Sequence, residues 1–306
     1  MDLSLNEDQR AILDALDGLC RPYQDAPLHD APLTAISEKL DAEIAEAGFL
    51  DVAADPDLGT VSAAVIVERL ARLPYATEAA ASAFFRPLLG EVEGPICIVD
   101  RARTPRMLRY LVPGATVLVV EDSRVSVFTA SQDQLRAEPD ALLGYPVASL
   151  LEIPDERQVC DIAPIEARTR WQAAIAAETA GLLAAALAST VSHVSEREQF
   201  GRKLATFQAL RHRLAEAQVL TNGTYWLSMK AAATLDPADA AMAASYAQEA
   251  ARSCSYDFHQ FLGAMGMTLE HPLHMWTYRL KALVGELGGR KANAARAADA
   301  LWGAAS

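Results

Sequence analysis

The sequence has few cysteines and histidines, and neither residue type is spaced as a metal site or a disulfide framework requires. Its 306 residues include 4 cysteines and 6 histidines. No CxxC or CxxH spacing joins the cysteines, so the sequence indicates neither a zinc site nor paired disulfides. His271 and His274 stand three residues apart, but no cysteine or group of carboxylates completes a ligand set. We expect the cysteines to be reduced core residues: Cys20, Cys97, Cys160 and Cys254.

The chain also lacks an excess of basic residues and a long apolar run. Lys and Arg number 27 against 40 for Asp and Glu, which gives a formal net charge of −13. A surface that binds nucleic acid needs a basic face, so this balance argues against a nucleic-acid partner. No run reaches the roughly 18 consecutive apolar residues that cross a bilayer, and no basic-then-apolar leader opens the sequence. We expect a cytoplasmic protein without a membrane partner.

Apolar residues at helical intervals are abundant at both ends of the chain. Asn6, followed by acidic residues, predicts the start of a first helix. Asp236-Pro237 is a similar start signal within the C-terminal part. The further predicted helices cover 33–47, 60–73, 76–89, 171–196, 207–234, 237–262, 272–287 and 291–301.

Between the two helical parts, the composition shifts to short β-branched runs. The runs at 96–99, 115–120 and 125–128 predict three strands of a small β module. The expected fold is therefore mainly α with a small β module. Its predicted parts are an N-terminal helical domain, a reduced middle β domain and a C-terminal four-helix bundle with a short tail helix. The predicted boundaries are 1–90, 91–164 and 165–306.

Residues 197–215 interrupt the bundle between two long apolar helices. The segment begins with Arg-x-Gln-Phe-Gly at 197–201 and continues with Phe207, Gln208 and a second apolar stripe. Gly201 is placed to make the turn between the helices. By itself, an arginine at a helix end is weak evidence for a ligand, because it stabilises the helix dipole there.

A second block at 260–266 reads Gln-Phe-Leu-Gly-Ala-Met-Gly. The two blocks, at this distance from each other, resemble the signature of the acyl-CoA dehydrogenase family. In that family the arginine reaches across a dimer interface to the FAD diphosphate, and the second block lines the same ADP portion. Forked guanidinium donors, amides and glycine backbone suit such a ligand. Ala264 stands where the family has a second glycine. The resemblance implies these FAD contacts in trans: Arg197, Gln199, Phe200, Phe207, Gln208, Gln260 and Gly263.

Two features of the family are missing from the middle of this chain. The family holds the flavin ring with a Gly-rich stretch that carries acidic and hydroxyl residues, and with a strand that contains Trp. The segment 140–145, with its single glycine and no Trp, resembles neither. The N-terminal part, through Ala47-Gly48-Phe49-Leu50 and 67–74, does resemble the family's first helical domain.

The family's catalytic glutamate is missing as well. Its first usual position corresponds to Gly288, with Arg290 in the place of the following Thr, and its second corresponds to Trp171. Three nearby acids could serve as a relocated base, although acids on amphipathic helices are usually solvated or ion-paired. They are Glu178, Glu270 and Glu286.

The resemblance implies a non-catalytic subunit of a heterotetrameric (α2β2) acyl-CoA dehydrogenase of the steroid type. A longer homologue would then supply the base, an acyl-CoA would be the substrate, and electron-transferring flavoprotein would accept the electrons. By analogy alone, the substrate class would be a steroid side-chain CoA thioester, in lipid degradation. Two alternatives stay open: a self-sufficient homodimeric dehydrogenase with a relocated base, and a non-enzymatic dimerisation or regulatory homologue.

Overall fold

Four helices form the N-terminal part of the computed structural model, which describes residues 4–28, 33–90, 92, 94–103 and 107–303. Asn6 caps the first helix in a capping box, because its Oδ1 accepts the Gln9 N–H at 2.8 Å and Gln9 Oε1 accepts the Asn6 N–H at 3.0 Å. Ser37 caps the second helix through the Leu40 N–H. The helices are α1 (Glu7–Cys20), α2 (Glu38–Glu46), α3 (Gly59–Ala71) and α4 (Ala80–Leu89).

The middle part contains two small sheets. The first has the order β1-β3-β4-β7, in which β1 and β3 are parallel and the other pairs are antiparallel. The second has the order β2-β6-β5 and is antiparallel. The strands are β1 (Ile96–Asp100), β2 (Leu108–Arg109), β3 (Thr116–Val120), β4 (Val125–Thr129), β5 (Leu135–Ala137), β6 (Val147–Leu150) and β7 (Gln158–Cys160).

Alternation along β1 and β3 fixes how the first sheet packs. Ile98 and Leu118 face the helices and belong to the main core. Their neighbours Val99 and Val119 face the other way and share a second core with the β2-β6-β5 sheet. The period of two along a strand therefore places the first sheet between the helices and the second sheet.

The C-terminal part is the bundle, built from α5 (Pro164–Glu196), α6 (Gln208–Thr234), α7 (Pro237–Leu262) and α8 (Leu273–Leu283), with α9 (Gly289–Trp302) as the tail helix. Helix α5 is long and apolar enough to cross a membrane, but 72% of that window is buried, as is typical of a core helix. It crosses α3 at Gly181, where a Cβ would lie 2.1 Å from the Glu68 carbonyl oxygen. The predicted fold class is confirmed.

The segment between α5 and α6 contains a small hairpin that the sequence patterns did not predict. Strands β8 (Glu198–Gln199) and β9 (Arg202–Lys203) pair across Phe200 and Gly201, whose φ angles are 56° and 75°. Two consecutive positive φ angles match the right-handed twist of a two-residue hairpin turn. The turn lies at Gly201 as predicted, but it connects strands and not helix ends.

One hydrophobic core runs from the N-terminal helices into the bundle and includes Leu16, Leu70, Ile175 and Phe258. All four cysteines are free, and all except Cys160 are buried. The domain boundaries at 90 and 164 stay predictions, because the helical parts share this core.

Asp41 on α2 makes stability depend on pH. Burial, and secondarily Glu38, raises the pKa of this half-buried carboxyl from 3.8 to about 6. Its ionisation opposes folding, so stability is lost as pH rises from about 4 through 6. We expect Asp41→Asn to stabilise the protein at pH 8 by no more than about 2 kcal/mol, since solvent screens part of the effect.

Urea denaturation at pH 4 and pH 8 measures this difference. At pH 4 the gain of the variant should be much smaller, because the carboxyl of the folded protein is then protonated and that of the unfolded chain is only partly ionised. Asp14→Asn, at an exposed site on α1, serves as the control. An equal gain at both pH values would show that ionisation of Asp41 is not the cause.

Candidate functional site

The residues of the first predicted block lie at one end of the bundle. Helix α5 ends because Arg197 has an extended backbone, with φ −69° and ψ 127°. The Arg197 N–H still donates to the His193 carbonyl at 2.9 Å, and its own carbonyl accepts the Leu204 N–H at 2.9 Å. These bonds fix the backbone of Arg197 at the base of the hairpin, while its side chain stays exposed.

Aromatic side chains shape the tip of this hairpin. Phe200 is 89% exposed, and its ring meets Phe207 edge-on with centroids 6.2 Å apart. The Arg202 guanidinium lies 3.9 Å from the centre of the Phe207 ring, a cation–π contact. Within the described ranges of the chain, three exposed side chains here have no ion-pair or hydrogen-bond partner: Arg197, Gln199 and Gln208. Their polar groups remain available to a ligand or partner.

The second block lies at the same end of the bundle. Helix α6 leads away from the hairpin and α7 returns, so α5 and α7 end close together. The ring of His193 on α5 contacts that of His271, beyond the second block, at 5.4 Å between centroids. Gln260 is exposed, and Gly263 ends α7 with φ 59° and ψ −132°, which a side chain would strain. The fold thus brings the two predicted blocks together.

A cleft of about 730 Å³ adjoins Gln260 and Gly263 between α7 and α8. Arg252 and Lys281 supply positive charge, and neither has an acidic partner among the residues that the structure describes. The Ser255 hydroxyl is buried beside the cleft without a hydrogen-bond partner in the described chain. Cations, an amide and an unsatisfied hydroxyl fit a phosphate-bearing nucleotide, so these residues suit the ADP half of FAD.

The two positions at which the family carries its base also converge. Trp171 Nε1 donates to Glu286 Oε2 at 2.9 Å, and Gly288 follows two residues later. Trp171 borders a cavity between the β module, α5 and the end of α8, as do Glu286 and Leu287, the two residues before Gly288. Neither position offers a carboxylate, so a proton acceptor here would have to come from a neighbouring acid.

Two of the candidate bases, Glu178 and Glu286, are held by Arg109, which the sequence patterns did not indicate. Its Nη1 donates to Glu178 Oε2 at 3.0 Å and its Nε donates to Glu286. Tyr145 adds a hydrogen bond from its hydroxyl to Glu178 Oε1 at 2.7 Å. Burial alone would lower the pKa of Arg109, but Glu178 and Glu286 hold it well above the ordinary value. This Arg109 cluster, formed by Arg109, Tyr145, Trp171, Glu178 and Glu286, is a satisfied buried network.

The Arg109 cluster leaves little room in the cavity between the three parts. About 180 Å³ remains, below the roughly 300 Å³ at which pockets for cofactors and drug-sized ligands begin. The segment 140–145, which lacks the family's flavin-ring features, delivers Tyr145 into this region. Gly144 permits this because its φ is 65° and a Cβ there would lie 3.0 Å from Arg279 Cγ. Glu270, the third candidate base, is exposed and does not line this cavity.

The fold and the two motif blocks at one end of the bundle are similar to those of acyl-CoA dehydrogenases. Residues 168–289 match the family described as acyl-CoA dehydrogenase, C-terminal domain. This match covers less than half of the chain, and it confirms the predicted resemblance to the family.

Two curated proteins are similar to this chain in sequence. IpdE2 from Mycolicibacterium smegmatis is 26% identical over 243 residues, which are 74% of this chain and 74% of IpdE2. FadE34 from Mycobacterium tuberculosis is 28% identical over 186 residues, which are 58% of this chain. That match covers only 26% of FadE34, so the chain corresponds to about a quarter of that relative.

Solved structures share the fold over the whole chain. The ChsE4-ChsE5 complex from Mycobacterium tuberculosis has 18% identity and a TM-score of 0.74, with 100% of each chain covered. The Tcur3481-Tcur3483 steroid dehydrogenase has 21% identity and a TM-score of 0.74, covering 96% of this chain and 98% of its own. A glutaryl-CoA dehydrogenase from Mycobacterium smegmatis, in complex with FADH2, has 16% identity, a TM-score of 0.65 and coverages of 99% and 96%. FAD is the cofactor of this family, as predicted.

Proposed function

We propose that this chain is the non-catalytic subunit of a heteromeric acyl-CoA dehydrogenase. It contributes Arg197, Gln199, Phe200 and the second block to an FAD whose ring a partner subunit holds. The partner is a longer homologue that supplies the catalytic glutamate. FAD accepts the electrons when α,β-desaturation of an acyl-CoA takes place at the partner's site. Electron-transferring flavoprotein is the proposed acceptor.

The observation that carries this proposal is the contrast between the two regions of the site. Outward-facing polar side chains at the hairpin lack partners within the described chain, whereas the inner cavity is small and Glu178 and Glu286 beside it are paired with Arg109. A carboxylate that is paired with a buried guanidinium is a poor proton acceptor. The arrangement therefore favours a contribution to a shared cofactor over catalysis within this chain.

The chemical roles of the outer residues follow from their groups. Arg197 can offer a forked pair of donors to diphosphate oxygens. Gln199, Gln208 and Gln260 can bond sugar hydroxyls, and Gly263 lets backbone approach the nucleotide closely. Phe200 and Phe207 cover apolar surface and shield these polar contacts from water.

The similarity to the ChsE4-ChsE5 complex supports the proposal of a partner subunit. The similarity to the Tcur3481-Tcur3483 steroid dehydrogenase supports the proposal of a bulky acyl group. We extend both features to this chain as part of the proposal, with a steroid side-chain CoA thioester as the substrate class. The alternative of a self-sufficient homodimer would require Glu178 or Glu286 to leave Arg109, or the exposed Glu270 to reach a substrate.

Flavin stoichiometry tests the proposal. We expect the purified chain to be colourless and its co-expressed complex with a longer homologue to be yellow. The complex should carry fewer flavins than chains, because only one kind of subunit holds the ring. Visible absorbance with protein quantification gives the ratio.

Catalysis by the isolated chain would contradict the proposal of a non-catalytic subunit. One flavin per chain in the isolated protein, together with acyl-CoA oxidation that Glu178→Gln or Glu286→Gln abolishes, would establish the self-sufficient enzyme instead. A colourless complex would favour the non-enzymatic alternative.

A further inference from the structure

His259 joins three elements beside the second block. Its Nδ1 lies 2.7 Å from the Gly266 carbonyl oxygen, and its Nε2 lies 3.0 Å from Thr277 Oγ1 on α8. A carbonyl can only accept, so Nδ1 carries the proton of that bond. The imidazole thus connects the last turn of α7, the turn at 263–267 and helix α8.

Gly266 makes this connection sterically possible. A Cβ at this position would lie 3.0 Å from the His259 carbonyl oxygen and 3.0 Å from Leu262 Cβ. The turn therefore folds back directly against the end of α7, which brings the Gly266 carbonyl within reach of the imidazole. Residues 259–266 therefore form a closed loop. Its ends are joined by the close approach of the Gly266 and His259 backbones and by the bond between the His259 imidazole and the Gly266 carbonyl.

This loop fixes the residues that face the nucleotide. Gln260 and Gly263 lie inside it, between the two ends that His259 joins. The Gly263 N–H donates to the carbonyls of Gln260 and His259, so the same helix end sets its position. Movement of the Gly266 carbonyl away from His259 would shift Gly263 and the edge of the cleft between α7 and α8.

We propose that His259, on the lining of the cleft between α7 and α8, is a positioning residue for flavin nucleotide binding. It holds the turn at 263–267 so that Gln260 and Gly263 present their polar groups in one geometry. It also couples this turn to α8, the helix that leads to Glu286 and the Arg109 cluster. This inference rests on the proposed function, since it concerns the nucleotide that the two blocks contact.

A pair of substitutions separates positioning from bulk packing. His259→Leu removes both bonds, and His259→Gln keeps an amide donor for the Gly266 carbonyl and an acceptor for Thr277. In the co-expressed complex, we expect His259→Leu to raise the Kd for FAD about tenfold, as the loss of two hydrogen bonds allows, and His259→Gln to restore most of the affinity. Thr277→Val, which removes one of the two His259 bonds and a bond within α8 to the Leu273 carbonyl at similar volume, should give a smaller loss of FAD affinity.

Rebinding of FAD to the stripped complex, followed by flavin fluorescence, measures these Kd values. Size-exclusion chromatography with light scattering should show the complex intact in every variant. Arg10→Leu, at an exposed site on α1 outside both blocks, is the control and should bind FAD like the wild type. Wild-type affinity in both His259→Leu and Thr277→Val overturns the inference.

Failure of the positioning role of His259 can be distinguished from failure of the proposed function. If Arg197→Ala loses FAD while the His259 and Thr277 variants retain it, only the positioning role fails. If the wild-type complex binds no FAD, the proposed function fails first. Equal losses in His259→Leu and His259→Gln would also overturn the positioning role, because the amide would then have failed to replace the imidazole bonds.

Discussion

Arg109→Met is expected to lower the free energy of unfolding by about 3–5 kcal/mol, because it leaves two buried carboxylates without their cation. Glu178 and Glu286 are 6% and 13% exposed in their side chains, so water cannot replace the guanidinium fully. Met has a similar length and preserves most of the packing. Urea denaturation of the isolated full chain at neutral pH measures the loss.

Two further variants show whether the buried charge is the cause. Arg136→Met removes an arginine of the same β module whose side chain is 60% exposed in a pair with Glu138, and should cost less than about 1 kcal/mol. The triple variant Arg109→Met, Glu178→Gln, Glu286→Gln should recover much of the loss, because no buried charge then remains. An Arg109→Met protein as stable as the wild type would mean that the Arg109 cluster is hydrated and open. A triple variant no better than Arg109→Met would assign the loss to packing.

Arg197→Ala is expected to raise the Kd of the heteromeric complex for FAD by about 10- to 100-fold, the scale of a lost charge-assisted hydrogen bond. The reason is the position of the guanidinium at the base of the hairpin, exposed and without an ion-pair partner in the described part of the chain. Its removal should leave the stability of the isolated chain almost unchanged, since it breaks no internal contact. Retained visible flavin absorbance after gel filtration reports the affinity.

A conservative change and a remote control sharpen this experiment. Arg197→Lys should recover part of the affinity, because an ammonium keeps the charge but lacks the guanidinium's planar fork. Arg10→Ala removes an exposed arginine on α1 and should leave FAD binding unchanged. If Arg197→Ala does not alter the FAD content of the complex, Arg197 only stabilises the helix end and does not bind FAD. The prediction for the whole first block would then be wrong.

Local sequence patterns predicted the helices and the three five-residue strands β1, β3 and β4, but not the shorter strands. Asp236-Pro237 placed the start of α7 correctly, because the Asp236 carboxylate accepts the N–H groups of Ala238 and Asp239. The helix predicted over 33–47 runs only from Glu38 to Glu46, within the range that the structure describes, since Ser37 is the residue that caps it. Strands of two to four residues, such as β2, escaped prediction because they span too few residues to show a period of two.

The sequence by itself predicted the family resemblance and the fold class, and it suggested two blocks that suit a nucleotide, because each of these depends on residues close together in the chain. By the same resemblance, Gly288 and Trp171 are the predicted positions of the family's base. Only the tertiary structure showed that the inner cavity is small and that Arg109 pairs with Glu178 and Glu286 beside it. Arg109 and Glu178 are 69 positions apart, and Glu286 lies 108 further on, so no local pattern could pair them. Long-range packing of the β module on α5 and α8 brings these charges together, and burial makes their pairing obligatory.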